Sequence, residues 1–248
     1  MVVTLLTYTG LTLCVVLALM LCERRWSASN EATSLGINVV AYLLFMAGGL
    51  TLVPLFAPNV TVRLIDLAAW PFLLGLLTYT LLMDLGEFLF HRAQHQIPWL
   101  WRMHALHHSD PNMNVTTTSR HYWAEPLIKS LSIWPLCACL ASPTPAIMLS
   151  YALISIYHNF VHANLRVDFG RWSWVLNCPA YHRRHHSALP EHFNSNYASL
   201  FPIFWMDCLI PMLLWIAFIP SVAVPGHPSV KDNTFGIGSP DDWRNRFA

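Results

Sequence analysis

Residues 84–108 read DLGEFLFHRAQHQIPWLWRMHALHH, and this stretch decides how the chain is built. His91 and His95 stand four apart, and His104, His107 and His108 follow at spacings of three and one. Residues three and four apart share one face of a helix, so each group aims two or three imidazoles at a common point. The stretch opens where the uncharged apolar run 67–83 ends. The histidines therefore begin where a membrane-spanning helix would leave the bilayer.

Further along, His158 and His162 repeat the first spacing, and His182, His185 and His186 repeat the second. An isolated pair of this kind is an ordinary packing or interfacial feature. Ten of 13 histidines falling into two copies of a two-part pattern is a metal-binding signal. Several unpaired imidazoles near a membrane boundary would be expensive to desolvate, whereas coordination satisfies one nitrogen of each.

The rest of the composition agrees with a lipid solvent. Of 248 residues 55% are hydrophobic and only 11% charged, and mean hydropathy is +0.42. A net charge of +1 offers nothing to a nucleic acid. The expected fold is an all-α integral membrane protein, with three N-terminal spans at about residues 2–22, 37–56 and 67–83. Glu23-Arg24-Arg25 closes the first run as a stop, and no small-residue cleavage site marks it as a signal peptide. With Arg24 and Arg25 inside, alternation puts the Asn59–Ile65 loop outside and returns the chain to the cytoplasm near His91.

Residues 130–157 are uncharged but interrupted by Ser142-Pro143-Thr144-Pro145. A single span would carry His158 and His162 to the far side; a Pro-turned helical hairpin over 127–157 brings them back to the other histidines. The organisation expected is thus transmembrane helices over 1–83, a catalytic region with a cytoplasmic, helical, histidine-rich cap over 84–199, and residues 200–248. That last part contains an apolar stretch broken by Pro202, Asp207 and Pro211, which reads as interfacial, and an irregular tail from Pro220. The six cysteines have no C-x-x-C spacing and read as buried small hydrophobes.

Asp84, Glu87, His91 and His95 form one helical stripe, so Asp84 and Glu87 either support ligand histidines or mark the helix leaving the bilayer. Glu87 is placed to take the outer N–H of a ligand histidine. Apolar residues such as Met83, Phe90, Ile154 and Tyr157 read as packing or lipid-facing positions rather than as a substrate passage. Imidazole suits zinc, copper and iron, there is no H-E-x-x-H, and ten ligands call for two ions.

The four motifs in this order, with Ser119-Arg120-His121 between them and Asn196-Tyr197 after them, resemble the integral membrane fatty acid hydroxylase and sterol desaturase superfamily. The resemblance covers roughly residues 84–197. It implies a di-iron centre with His91, His95, His104, His107, His108, His158, His162, His182, His185 and His186 as ligands. His121 and Asn196 would then stand behind the ligands, and His192 and His227 are set aside as surface residues. The stretch Phe204–Ile210 departs from the W-D-x-x-F-G-T-like segment common in that superfamily. The implied reaction is O2-dependent hydroxylation or desaturation of a lipid C–H bond, on a fatty acyl chain, a sterol or a related lipid. No haem domain, ferredoxin cysteine set or G-x-G-x-x-G is present, so a separate electron-transfer protein is expected. The rival class is a membrane metal transporter, whose ligands would sit within spans near the midplane.

Overall fold

The computed structural model describes residues 2–29, 34–62, 64–140, 145–187, 189 and 192–205. Their regular elements are all helices, and the only extended pairing among them is one antiparallel bridge between Ser27 and Leu165. The helices are α1 (Val2–Trp26), α2 (Leu35–Phe56), α3 (Phe72–Gln96), α4 (Pro98–His108), α5 (Glu125–Leu131), α6 (Ile133–Leu140), α7 (Pro145–His162), α8 (Pro179–His185) and α9 (Pro202–Trp205). Short 3-10 turns at Leu67–Ala69, Val115–Ser119 and Gly170–Trp172 join them.

By length and composition α2 and α3 are able to cross a membrane. They expose long apolar side chains such as Leu43, Leu55, Leu73 and Leu77, which is the pattern of a surface solvated by lipid rather than water. Against the expected third span, α3 starts five residues later, because Pro71 disfavours a helical conformation in the residue before it. It then runs on through the whole Asp84–His95 stripe. Pro98 ends it in the same way: Ile97 is extended, and Pro98 opens α4 at a position where a missing N–H costs nothing.

The chain folds back between α5 and α7. Lys129 lies against Glu87, Ile133 and Cys137 against Gly86, and the Leu64 N–H donates to the Cys139 carbonyl, so α5 and α6 descend along α3. Ser150 then meets Thr80, and His162 returns to His107 at the level of the histidine motifs. The Pro-rich turn itself, 141–144, lies outside the described residues. The descending arm is two helices rather than one, broken at Ser132, whose φ of −126° and ψ of −85° lie outside helical space.

Close approach at two glycines sets this packing. A methyl group on Gly48 would collide with the Trp123 carbonyl oxygen, and one on Gly86 would fall 2.9 Å from Ile133 Cγ2. Met83, Cys137 and Ile154, with Tyr157 beside them, form one apolar cluster between α3, α6 and α7. They are packing residues. Cys178 is also buried, but Cys14 is exposed and Cys22 and Cys139 are half-buried, which corrects the reading of the cysteines as uniformly internal. Residues 206–248, with Cys208, His227, the greater part of the interfacial stretch and of the Phe204–Ile210 departure, lie outside the described residues.

Candidate metal centre

Four helix ends deliver the histidines. His91 and His95 come from the last turns of α3, His104, His107 and His108 from α4, His162 from the end of α7, and His182, His185 and His186 from α8 and its cap. Their ring nitrogens sort into two sets, each with all ligand atoms within 4.8 Å of one another: His91, His95, His104, His108 and His185, and His107, His162, His182 and His186.

The doubled histidines explain the sorting. On α4, His104 and His108 are four apart and enter the first set, while His107 faces the second. On α8 the roles invert, with His182 and His186 four apart in the second set and His185 in the first. Neighbouring helical residues point about 100° apart, so each His-His pair straddles two adjacent centres. The seam is the stack of His108 on His186, ring centroids 4.3 Å apart.

Backbone carbonyls orient the rings. His91 Nδ1 donates to the Tyr197 carbonyl at 3.0 Å, His185 Nδ1 to Ser195 at 2.6 Å, and His162 Nδ1 to His158 at 2.7 Å. A carbonyl only accepts, so these neutral rings carry the proton on Nδ1 and a lone pair on Nε2. Those Nε2 atoms converge: His91 and His185 at 2.9 Å, and His162 at 3.1 Å from His107 and 3.0 Å from His182. Two lone pairs facing each other across 2.9 Å repel unless a cation lies between them. Ligand nitrogens about 2.1 Å from a common ion and at right angles to one another are about 3 Å apart.

Burial leads in the same direction. His104 and His186 have both ring nitrogens buried without a hydrogen-bond partner among the described residues, as have His107 and His182 for Nδ1. Burial first, and then the neighbouring imidazoles, push His104, His107, His108, His182 and His186 well below the ordinary histidine value, so the rings stay neutral and able to coordinate. The all-nitrogen donor set fits a borderline metal such as iron, zinc or copper.

The tenth predicted ligand stands apart. His158 belongs to neither set; its Nε2 lies 2.8 Å from Ser199 Oγ, and its carbonyl fixes the tautomer of His162. His121 is also outside both sets, but its ring lies parallel to His107, 4.9 Å between centroids, and its Nδ1 meets Glu125 Oε2 at 3.0 Å. Glu87 does not take a histidine N–H as expected: it holds Lys129 at 2.8 Å, the nearest cation to it on α5. Lys129 also lies 3.6 Å from Glu125. His192, expected at the surface, is buried, held in a turn by its N–H to Leu189 and by the Ser195 hydroxyl on its carbonyl.

Asp84 is wholly buried and accepts the N–H groups of Leu200 and Phe201 at 2.8 and 3.1 Å. It pins to α3 the segment whose Tyr197 carbonyl orients His91. Asn196 lies in that segment with φ of 53°, as does Asn194 with φ of 57°, a left-handed conformation that asparagine tolerates. The resulting turn points the Ser195 and Tyr197 carbonyls at two rings. Sequence reasoning missed these carbonyls, because a backbone oxygen has no residue signature. It also missed Glu125, although its spacing of four from His121 was legible.

Known proteins carry the same region. The fatty acid hydroxylase family model matches residues 76–210, more than half of the chain. The alkylglycerol monooxygenase of Xenopus tropicalis is 32% identical over 116 residues, 47% of this chain and 26% of that protein. The alkylglycerol monooxygenase of Danio rerio is 26% identical over 180 residues, 73% and 36% respectively. The ornithine lipid hydroxylase OlsE of Rhizobium tropici is 24% identical over 224 residues, 85% and 63% respectively. The chain thus spans between about a quarter and under two thirds of the length of these relatives. No solved structure matches. With the family model covering both histidine sets, the chain belongs to the fatty acid hydroxylase family.

Proposed function

We propose that this protein is an O2-dependent lipid mono-oxygenase whose two histidine sets hold two iron ions. The observation that carries the reading is the pair of abutting, buried sets of neutral ring nitrogens, with lone pairs converging at about 3 Å. When bound, iron supplies the activation of O2 and the oxidation of an unactivated C–H bond. The protein's own part is positional. The Tyr197, Ser195 and His158 carbonyls hold three rings in the coordinating tautomer, and burial keeps water and stray protons away.

The substrate is a membrane lipid, hydroxylated or desaturated, and it reaches the centre from the bilayer. Two relatives are by name an alkylglycerol monooxygenase and an ornithine lipid hydroxylase, which supports a lipid with a polar head group and a long apolar part. The exposed apolar faces of α2 and α3 support entry from lipid, since α3 continues from its exposed first turns to His91. A multi-pass topology follows, with α1 as a further span, the histidine cap on the cytoplasmic side and electrons delivered by a separate protein.

The test is to purify the full chain in lipid nanodiscs and measure bound metal. Iron, O2, a chemical reductant and mixed membrane lipids are then supplied, and lipid products are followed by mass. The expected result is about two ions per chain and lipids heavier by one oxygen atom or lighter by two hydrogens. A chain that retains no iron, or one that retains it and leaves every lipid unchanged while passing metal across the membrane, overturns the proposal.

A further inference from the structure

His107 is a clustered ring that no carbonyl orients. Its Nδ1 is buried without a partner among the described residues, while its Nε2 faces His162 across 3.1 Å. What it has instead is a flat neighbour: His121 lies over it, with 4.9 Å between centroids and 4° between planes. The rings of His104, His108, His162 and His186 meet it tilted or edge-on. A ring packed flat against another fixes its plane, because turning either one out of parallel breaks the contact or drives the two together.

His121 is itself held by a row of charges. Its Nδ1 meets Glu125 Oε2 at 3.0 Å, Lys129 lies one turn further along α5 at 3.6 Å from Glu125 Oε1, and Glu87 on α3 closes the row on Lys129 at 2.8 Å. Glu125 is 2% exposed. The Lys129 and Glu87 side chains are also largely covered. Only 11% of this chain is charged, and each of these ions is expensive to desolvate. Apolar side chains of the same volume would join α3 to α5 as well or better. Packing therefore does not account for the row, but its two ends do: one is the helix that carries His91 and His95, and the other is a ring lying flat on His107.

We propose that Glu87, Lys129, Glu125 and His121 form a clamp that holds the plane of His107, so that its Nε2 stays turned into the second set. His121 and Glu125 are positioning residues, since neither belongs to the two sets of ligand atoms. The proposal rests on the reading of those sets as metal sites. It also couples them: α3, which supplies two rings of the first set, fixes a ring of the second through side chains alone. Without Glu125, Lys129 and Glu87 still neutralise each other, so replacing Glu125 buries no unpaired charge.

Titration of the full chain with cobalt(II), in detergent against a competing chelator, reads the affinity for each ion. The parent is expected to take up about two ions. E125L and H121A should each weaken the second ion by about tenfold or more and spare the first, whose retention shows that the variant is folded. E125Q keeps an acceptor for Nδ1 and H121F keeps a flat ring, so both should bind like the parent. E125L added to H121F should then cost nothing further, because a phenyl ring makes no bond to Glu125; a side chain that only supported the fold would cost the same in either background. In H162A, whose second set is already broken, E125L should leave the remaining ion unaffected. Parent-like affinity in E125L, equal weakening of both ions, a loss in H121F equal to that in H121A, or the same effect of E125L in both backgrounds overturns the clamp, while the parent's two ions leave the metal reading standing. A parent that takes up no cobalt overturns both.

Discussion

Arg120 reaches back to Leu106, its Nε donating to the Leu106 carbonyl at 3.0 Å, and so caps the helix that carries three of the clustered histidines. Its Nη2 also meets Ser109 Oγ at 2.6 Å, and Asp110 lies 3.9 Å from Nη1. The Leu106 carbonyl also accepts from the Ser109 N–H and hydroxyl at 3.2 and 2.7 Å, so Ser109 and the guanidinium close this helix end together. R120Q keeps a polar side chain but loses the forked donor set. It is expected to lower metal affinity by about tenfold or more, measured by competition with a chelator; an unchanged affinity would show that α4 holds its end without the cap.

The two members of the α7 motif should behave differently. Replacing His162 by Ala removes a ring that meets His107 and His182, and should empty the second set, leaving about one ion per chain. His158→Ala keeps the carbonyl that orients His162 and should leave metal content near that of the parent. Equal losses in metal analysis would make His158 a ligand after all.

Asp84 makes two backbone bonds that asparagine cannot reproduce, since an amide presents one oxygen and turns an N–H₂ toward the other donor. D84N is expected to cost about 2–3 kcal/mol, read as a lower unfolding temperature in detergent. Because the segment it pins carries the Tyr197 carbonyl, metal should be lost from the set containing His91 before the other.

Acid should unload and destabilise the protein over a defined range. Burial holds five imidazoles well below the ordinary histidine value, so the folded chain binds fewer protons than the unfolded one once the pH falls below about 6.5. Stability then drops as pH falls and is flat above about 7.5, where both states are neutral. Thermal unfolding of the metal-free chain across pH 5–8 checks the sign; a chain more stable at the acid end would contradict buried neutral rings.

Gly48→Ala should destabilise by about 1–3 kcal/mol, because the added carbon meets the Trp123 carbonyl, a backbone atom with little room to move. Unfolding in detergent measures this, and Gly10→Ala, where nothing lies within 4 Å, is the control.

Much of this protein is legible without coordinates. Apolar length marks α2 and α3, proline marks where α3 gives way to α4, and helical periodicity makes each histidine motif a local cluster. Those signals are local, and local periodicity is what a sequence displays directly. The tertiary structure alone decides that His107 and His108 serve different sets, that His158 stands beside the sets, and that Glu87 turns to Lys129. These outcomes depend on which helix ends meet and on carbonyls such as those of Ser195 and Tyr197. Pairings between residues a hundred positions apart are set by packing, for which no spacing along the chain is a guide.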